Sequence, residues 1–148
     1  MKIMYKVMAL CILIMSTYAT QAQVLTSSRQ NYFNRYAQEL PTPITELNKA
    51  FTTSEGAKVK INFADFSFNG IVISSIKRYD NLYSVIVKAP GLDNTILAIS
   101  KRINPDKTVS YIGHIINQKY ADGFELRKDN NGNYAMNKIK TDALIEDY

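Results

Sequence analysis

The chain has 148 residues, and its hydrophobic fraction of 46% is enough for one domain with a buried core. Its net charge of +5 comes from basic residues that are scattered along the chain, which argues against a nucleic-acid or membrane-binding patch. A single histidine and a single cysteine exclude zinc sites built from several such ligands. We therefore predict no metal site and no cofactor.

Residues 1–22 have the three parts of a secretory signal peptide. Two lysines precede an apolar run at 7–15, and small and polar residues follow it. This run is much shorter than the roughly 20 apolar residues that a membrane-spanning helix needs. We predict cleavage after Ala22 and a secreted or periplasmic mature chain without a membrane anchor. Cleavage would also remove Cys11, so the mature chain would contain no disulfide.

The segment 23–57 is predicted to contain two short helices packed on a sheet. Apolar residues recur every three or four positions over 28–40, which predicts a first helix that ends at Pro41. Thr42 then resembles an N-cap followed by a proline at the first helical position, and the second helix should end before Gly56. Because helices this short are unstable alone in water, they should cover the sheet.

Residues 58–140 are predicted to form the antiparallel β domain, with 141–148 as a C-terminal tail. Runs rich in β-branched and aromatic residues alternate with clusters of Gly, Pro, Asn and Asp, as expected for strands joined by turns. The fold class is therefore mainly β (α+β): a six- to seven-stranded meander that closes into a small barrel or forms a sandwich.

Two local features of this domain need a specific interpretation. The apolar frame changes from odd to even positions near Ala64 and Asp65, which predicts a bulge or a turn there. Asn69-Gly70 is a strong hairpin signal, but the apolar residues on both sides keep one frame. We favour one long strand in which Gly70 allows close approach of another segment.

Groups for catalysis are few. His114 is the one histidine, and no serine lies in a GxSxG motif, so a Ser–His–Asp site is not expected. Most acidic residues fall at predicted turns; a hydrolase that uses Asp65, Glu125 and His114 is the remaining enzymatic alternative. We predict that the protein is not an enzyme.

Tyrosines lie at or near the ends of several predicted strands, where a ring packs and its hydroxyl reaches water. Such residues are favoured in binding surfaces, although they also cap the rims of barrels. The candidate binding residues are Tyr79, Tyr83, Tyr111, His114 and Tyr134.

The series FxFxG at 66–70, YDNLYSVIVK at 79–88, ISKR at 99–102, SYIGHI at 110–115 and GNYAMNKI at 132–139 resembles the β-rich propeptide-like modules of secreted Bacteroidota proteins. This resemblance implies an exported, non-enzymatic, protein-binding module that acts as an inhibitor of a secreted protease. A strand edge pairing with the partner is one mechanism for such binding. A lipocalin-like barrel that holds a small apolar ligand is the alternative function.

Overall fold

The computed structural model describes residues 29–64 and 66–141. The predicted signal peptide (1–22), Asp65 and all of the predicted tail except Thr141 lie outside the described residues.

The described residues form an eight-stranded antiparallel sheet that curls into a half-barrel, together with one α-helix. The elements are β1 (Glu39–Pro41), α1 (Ile44–Thr52), β2 (Lys58–Phe63), β3 (Phe66–Tyr79), β4 (Leu82–Ala89), a 3-10 turn (Pro90–Leu92), β5 (Thr95–Ile103), β6 (Val109–Ile116), β7 (Asp122–Lys128) and β8 (Tyr134–Lys140). The order across the sheet is β1-β8-β7-β6-β5-β4-β3-β2. The mainly β meander is therefore confirmed, but the described residues form eight strands rather than six or seven, and the sheet curls into a half-barrel instead of closing into a barrel or forming a sandwich.

The concave face of the sheet carries the core. Along β4, for example, Val85, Val87 and Ala89 are buried while the intervening residues are partly exposed. Leu47 and Ala50 of α1 belong to the same buried cluster, so the helix covers this face. The opposite, outer face carries most of the polar side chains, as expected for a sheet with one face packed.

The prediction of a first helix over 28–40 is wrong. The buried carboxylate of Asp122 accepts hydrogen bonds from the backbone N–H groups of Tyr32 and Phe33, at 2.6 and 2.9 Å. These bonds fix an irregular segment with a single turn, and the chain then pairs with β8 as β1. The aromatic spacing reflects burial instead: Phe33 is fully buried and packs edge-on against Phe124, with ring centroids 5.2 Å apart.

The second helix is confirmed, although its predicted N-cap is displaced by one residue. Pro43 occupies the N-cap position, and the hydroxyl of Thr42 instead donates to the Leu40 carbonyl at 2.9 Å. The helix ends at Thr52, before Gly56, whose φ of +82° lies in the turn that leads into β2.

The change from odd to even apolar positions near Ala64 corresponds to a tight turn between β2 and β3. Phe63 pairs with Phe66 across it, and Ala64 has a φ of +45°. Asn69-Gly70 lies inside the 14-residue strand β3, so the single long strand is confirmed. A Cβ at Gly70 would lie 2.5 Å from Val87 Cγ1, which explains the glycine by the close approach of β4.

Candidate functional site

Strand β3 is longer than its neighbour β2, and the excess length leaves an unpaired edge. The last paired residues are Lys58 in β2 and Ile71 in β3. One residue later, Val72 still exchanges hydrogen bonds with Gly56 and Ala57, at 2.8 and 3.0 Å. From Ile73 onward, β3 pairs with β4 alone, and no other described strand lies beside it. We call residues 73–79 the free edge of β3.

The direction of the backbone groups along the free edge follows from the pairing. The N–H and C=O of Val72 point toward the β2 side, and these directions alternate along an antiparallel strand. A β-bulge between Val72 and Ser74 inserts one residue, Ile73, and so shifts the alternation by one. Ser75 and Lys77 therefore direct their backbone N–H and C=O groups outward, where another strand would bind.

The side chains of the free edge are unusually apolar for an unprotected strand. Ile73 is 45% exposed, Ile76 is 47% exposed and Tyr79 is 70% exposed. Soluble proteins commonly protect long edges with prolines, charges, bulges or a covering element, because such edges pair with other chains. The free edge has a bulge at Ile73 and charges at Lys77 and Arg78, but it has no proline, and no described element covers it. An exposed edge that combines outward hydrogen-bonding groups with exposed apolar side chains is suited to strand addition.

Positive charge surrounds the end of the free edge near Tyr79. Lys77 and Arg78 belong to the edge itself, while Lys101 and Arg102 lie near the end of β5, which pairs with β4. The Lys77 ammonium contacts Asp80 Oδ1 at 2.9 Å. This hydrogen bond raises the pKa of Lys77 and lowers the pKa of Asp80, so both groups are charged at neutral pH.

Two of the sequence-predicted residues, Tyr79 and Tyr83, lie at this end of the sheet. Tyr83 is opposite Lys77 in β4, and its ring centroid is 6.0 Å from Lys77 Nζ and 5.5 Å from Lys101 Nζ. Lys101 also lies 5.2 Å from the Phe51 ring of α1. These cation–aromatic contacts order the cations next to the free edge.

Tyr111 and Tyr134 are brought together, but inside the protein. They are 6% and 5% exposed, and their rings meet edge-on with centroids 5.5 Å apart. The Tyr111 backbone N–H donates to the Tyr134 hydroxyl at 3.0 Å, and the Tyr111 hydroxyl donates to Asn48 Oδ1 at 2.8 Å. Their contacts therefore tie α1 and β8 to β6.

His114 lies on the outer face, in a shallow hollow of about 250 Å³ that Ile76 and Ile112 also line. The hydroxyls of Ser84 and Ser100, in the same hollow, hydrogen-bond to each other at 2.8 Å.

Glu125 on β7 lies opposite His114, so these two residues of the predicted hydrolase set are neighbours. Its Oε1 is 3.8 Å from His114 Nε2, while its other oxygen contacts Arg127 Nη2 at 2.6 Å. Among residues 29–64 and 66–141, no group of three or more His, Cys, Asp or Glu side chains has the arrangement of a metal site.

The sequence reasoning missed Ser75, Ile76 and the basic pair that follows them. The available signal was the difference in length between the two runs that became β2 and β3, which implies an unpaired stretch on the longer strand.

Within the described part of the chain, no helix is long and apolar enough to cross a membrane. Comparisons of the chain with protein-family models, curated proteins and solved structures gave no match.

Proposed function

We propose that the protein is a small non-enzymatic binding module that takes an extended segment of a partner protein as an added strand along the free edge of β3. The observation that carries this proposal is the unpaired stretch 73–79, whose exposed Ile73, Ile76 and Tyr79 are not covered by another described strand. Strand addition obtains affinity from main-chain hydrogen bonds and specificity from side chains at alternate positions.

The free edge is held in a binding-ready conformation. Strand β4 pairs with β3 from Ile71 to Tyr79, and β5 pairs with β4 along its whole length. Because the edge needs little ordering on binding, a partner segment loses mainly its own conformational entropy. The four outward backbone groups of Ser75 and Lys77 then supply the first hydrogen bonds.

A secreted protease is the partner class that we propose. An inhibitor that presents a preformed strand to a protease imitates an extended substrate, and pairing along the free edge would place Ile76 and Tyr79 against the enzyme. The resemblance to propeptide-like modules points in the same direction. Export of the mature chain and inhibition of the protease are both part of this proposal.

The packing of the interior favours this function over a small-ligand barrel. A ligand-binding barrel needs free volume between its walls. Here the concave face is occupied by fully buried side chains, the largest of which are Phe33, Phe63, Phe68 and Phe124. The two helix residues Leu47 and Ala50 close over the same region.

Two substitutions at one position test the proposal. Ser75→Pro removes the outward N–H, whereas Ser75→Ala keeps it and removes only the hydroxyl. Residues 23–148 and both variants would be assayed against the secreted proteases of the source organism, by residual activity and by gel filtration of the mixture. We expect the unchanged chain and Ser75→Ala to form a complex, and Ser75→Pro to lose it while its unfolding temperature falls only slightly. A complex that Ser75→Pro leaves intact would show that the free edge is not the binding site.

A further inference from the structure

We infer that the segment added to the free edge is acidic, with two carboxylates opposite Lys77 and Arg78 and an apolar residue opposite Ile76. This inference rests on the proposed function, because it describes the partner of the same edge.

The free edge and the neighbouring end of the sheet carry several positive charges. Lys77 and Arg78 are exposed on β3, and Lys101 and Arg102 lie two strands away on β5. Asp80, in the turn after β3, contacts Lys77 and offsets one of these charges.

The acidic residue of the adjacent β5–β6 turn has local partners of its own. Asp106 accepts hydrogen bonds from the Thr108 hydroxyl and backbone N–H, at 2.6 and 3.0 Å, and these bonds lower its pKa. Lys128 of β7 also contributes to this lowering. Asp106 itself stays negatively charged, but Asp80 and Asp106 are two acids against the four cations Lys77, Arg78, Lys101 and Arg102. The field at the end of the free edge is therefore positive, and it attracts negatively charged segments.

The outward backbone groups of Ser75 and Lys77 determine the register of an added strand relative to β3. An antiparallel partner strand forms hydrogen-bonded pairs opposite Ser75 and Lys77, and the residue between them lies opposite Ile76. Side chains of directly opposed residues lie on the same face. The partner residue opposite Ile76 is thus on the outer face beside the hollow that Ile76 and Ile112 line, where an apolar side chain fits.

The same register places two partner residues beside the cations. The residue opposite Lys77 lies on the face that carries Tyr83. Arg78 stands at a second irregularity of the β3–β4 pairing, between Lys77 and Tyr79, and lines the outer-face hollow, so the next partner residue lies beside it on the outer face. Carboxylates at both positions form ion pairs across the added strand. Read from its N-terminal side, the partner segment therefore has two acidic residues, opposite Arg78 and Lys77, followed by an apolar residue opposite Ile76.

The charge distribution also disfavours a second copy of this chain as the occupant. Two copies paired antiparallel through their outward groups would place Ser75 opposite Lys77 of the other copy, so the two Lys77 side chains would lie diagonally on the same face of adjacent strands. Like charges at this spacing are repulsive, and one Asp80 in each copy does not balance them.

The test uses two synthetic peptides and amide NMR spectra of the isotope-labelled mature chain. The acidic probe is acetyl-Thr-Glu-Glu-Val-Thr-Val-Thr-amide, and the basic probe replaces both glutamates with lysines. We expect the acidic probe to bind about tenfold more tightly at low ionic strength, to lose most of that advantage at high salt, and to shift the Ser75 and Lys77 amides.

Charge reversal supplies the matched control. Arg78→Glu should abolish the preference for the acidic probe. Lys60→Glu makes the same change in net charge on β2, away from the free edge, and should retain most of the preference.

The outcomes separate the inference from the proposed function. Equal binding of the two probes, with loss of both in Ser75→Pro, would overturn the acidic partner and leave strand addition intact. Shifts outside the free edge, or no shifts at millimolar peptide, would overturn strand addition itself. Concentration-dependent shifts of Ser75 without any peptide would identify a second copy as the occupant and overturn the inference.

Discussion

The β2 edge and the free edge of β3 lie on the same side of the sheet, yet they are protected very differently. The backbone N–H of Asn62 in β2 points away from β3 and donates to Glu46 Oε2 of α1 at 2.8 Å. Glu46 is itself held by Lys49 at 2.7 Å. Both edges carry two basic residues, Lys58 and Lys60 on β2 and Lys77 and Arg78 on the free edge, but only the free edge also exposes the apolar side chains of Ile73 and Ile76.

This difference shows that the edge of the sheet is protected where α1 lies against it. A helix of nine residues lies against β2 and supplies the acceptor for its outward N–H. Beyond Val72, the sheet extends past β2, and the outward groups of Ser75 and Lys77 have no equivalent acceptor among the described contacts. Within the described residues, an edge that natural sequences normally cover is left open over 73–79, as the proposed binding function requires.

The two halves of β3 give the largest expected contrast. Phe68 is fully buried in the β2-paired half, and Phe68→Ala should lower the free energy of unfolding by about 4 kcal/mol, from lost burial and the cavity left behind. Ile76→Ala in the free half should change it by less than about 0.5 kcal/mol. Urea denaturation of both variants measures the contrast. A large loss for Ile76→Ala would mean that the free edge is covered in solution.

Proline substitution at adjacent positions tests the direction of the backbone groups. Ile76→Pro removes an N–H that bonds to β4, and by analogy with proline in a helix interior this should cost about 3 kcal/mol. Ser75→Pro removes an N–H that faces solvent and should cost much less. Thermal unfolding of the pair gives the comparison, and similar losses for both prolines would contradict the assigned alternation.

Gly70 lies in the β2-paired half of β3, at a point where β4 approaches the strand closely. Gly70→Ala would put a Cβ 2.5 Å from Val87 Cγ1 and 2.7 Å from the Lys88 carbonyl oxygen, so the strands must separate. We expect a loss of about 2 kcal/mol by overpacking. Gly91→Ala is the control, since nothing lies within 4 Å of its added Cβ and it should be near neutral. Chemical denaturation that ranks the two variants equally would refute the close approach.

Removing the charge of Glu46 should have the smallest effect and should depend on pH. Hydrogen bonds from Lys49 and then from the Asn62 N–H lower the pKa of Glu46 below 4.5. A lowered folded pKa contributes stability above the unfolded value, and this contribution is lost as pH falls through the folded pKa.

Glu46→Gln should therefore cost about 1 kcal/mol at pH 7, and this difference from the unchanged chain should shrink as the pH falls below 4.5. Thermal unfolding of both proteins at several pH values measures it. A difference that stays constant from pH 7 to pH 3 would show that the charge does not protect the β2 edge.

The parts of the fold that depend on local periodicity were predictable from the sequence. Alternation identified the strands of the meander, and the unbroken frame through Gly70 identified the long strand. The error over 28–40 came from a distant residue: the Asp122 carboxylate accepts hydrogen bonds from the N–H groups of Tyr32 and Phe33, which lie 90 and 89 positions away. A sequence window contains no information about such a contact.

The candidate site was predictable in part for a similar reason. Tyr79 and Tyr83, which were selected for their positions near strand ends, lie at the end of the sheet beside the free edge, and their role in binding stays a prediction. The same rule selected Tyr111 and Tyr134, which are buried because α1 and the curl of the sheet cover them. Which strand ends are covered depends on tertiary packing, and only the unequal lengths of β2 and β3 indicated an open edge.

The pairing of β1 with β8 also constrains the order of folding. Glu39 is opposite Asn137, and the segment before it is fixed by Asp122 of β7. During synthesis, the first strand therefore has no partner until the last strand has emerged, whereas β2 to β6 can pair with sequence neighbours. Closing so long a loop is slow compared with forming hairpins, so we expect β1 to dock last, in a distinct late kinetic phase.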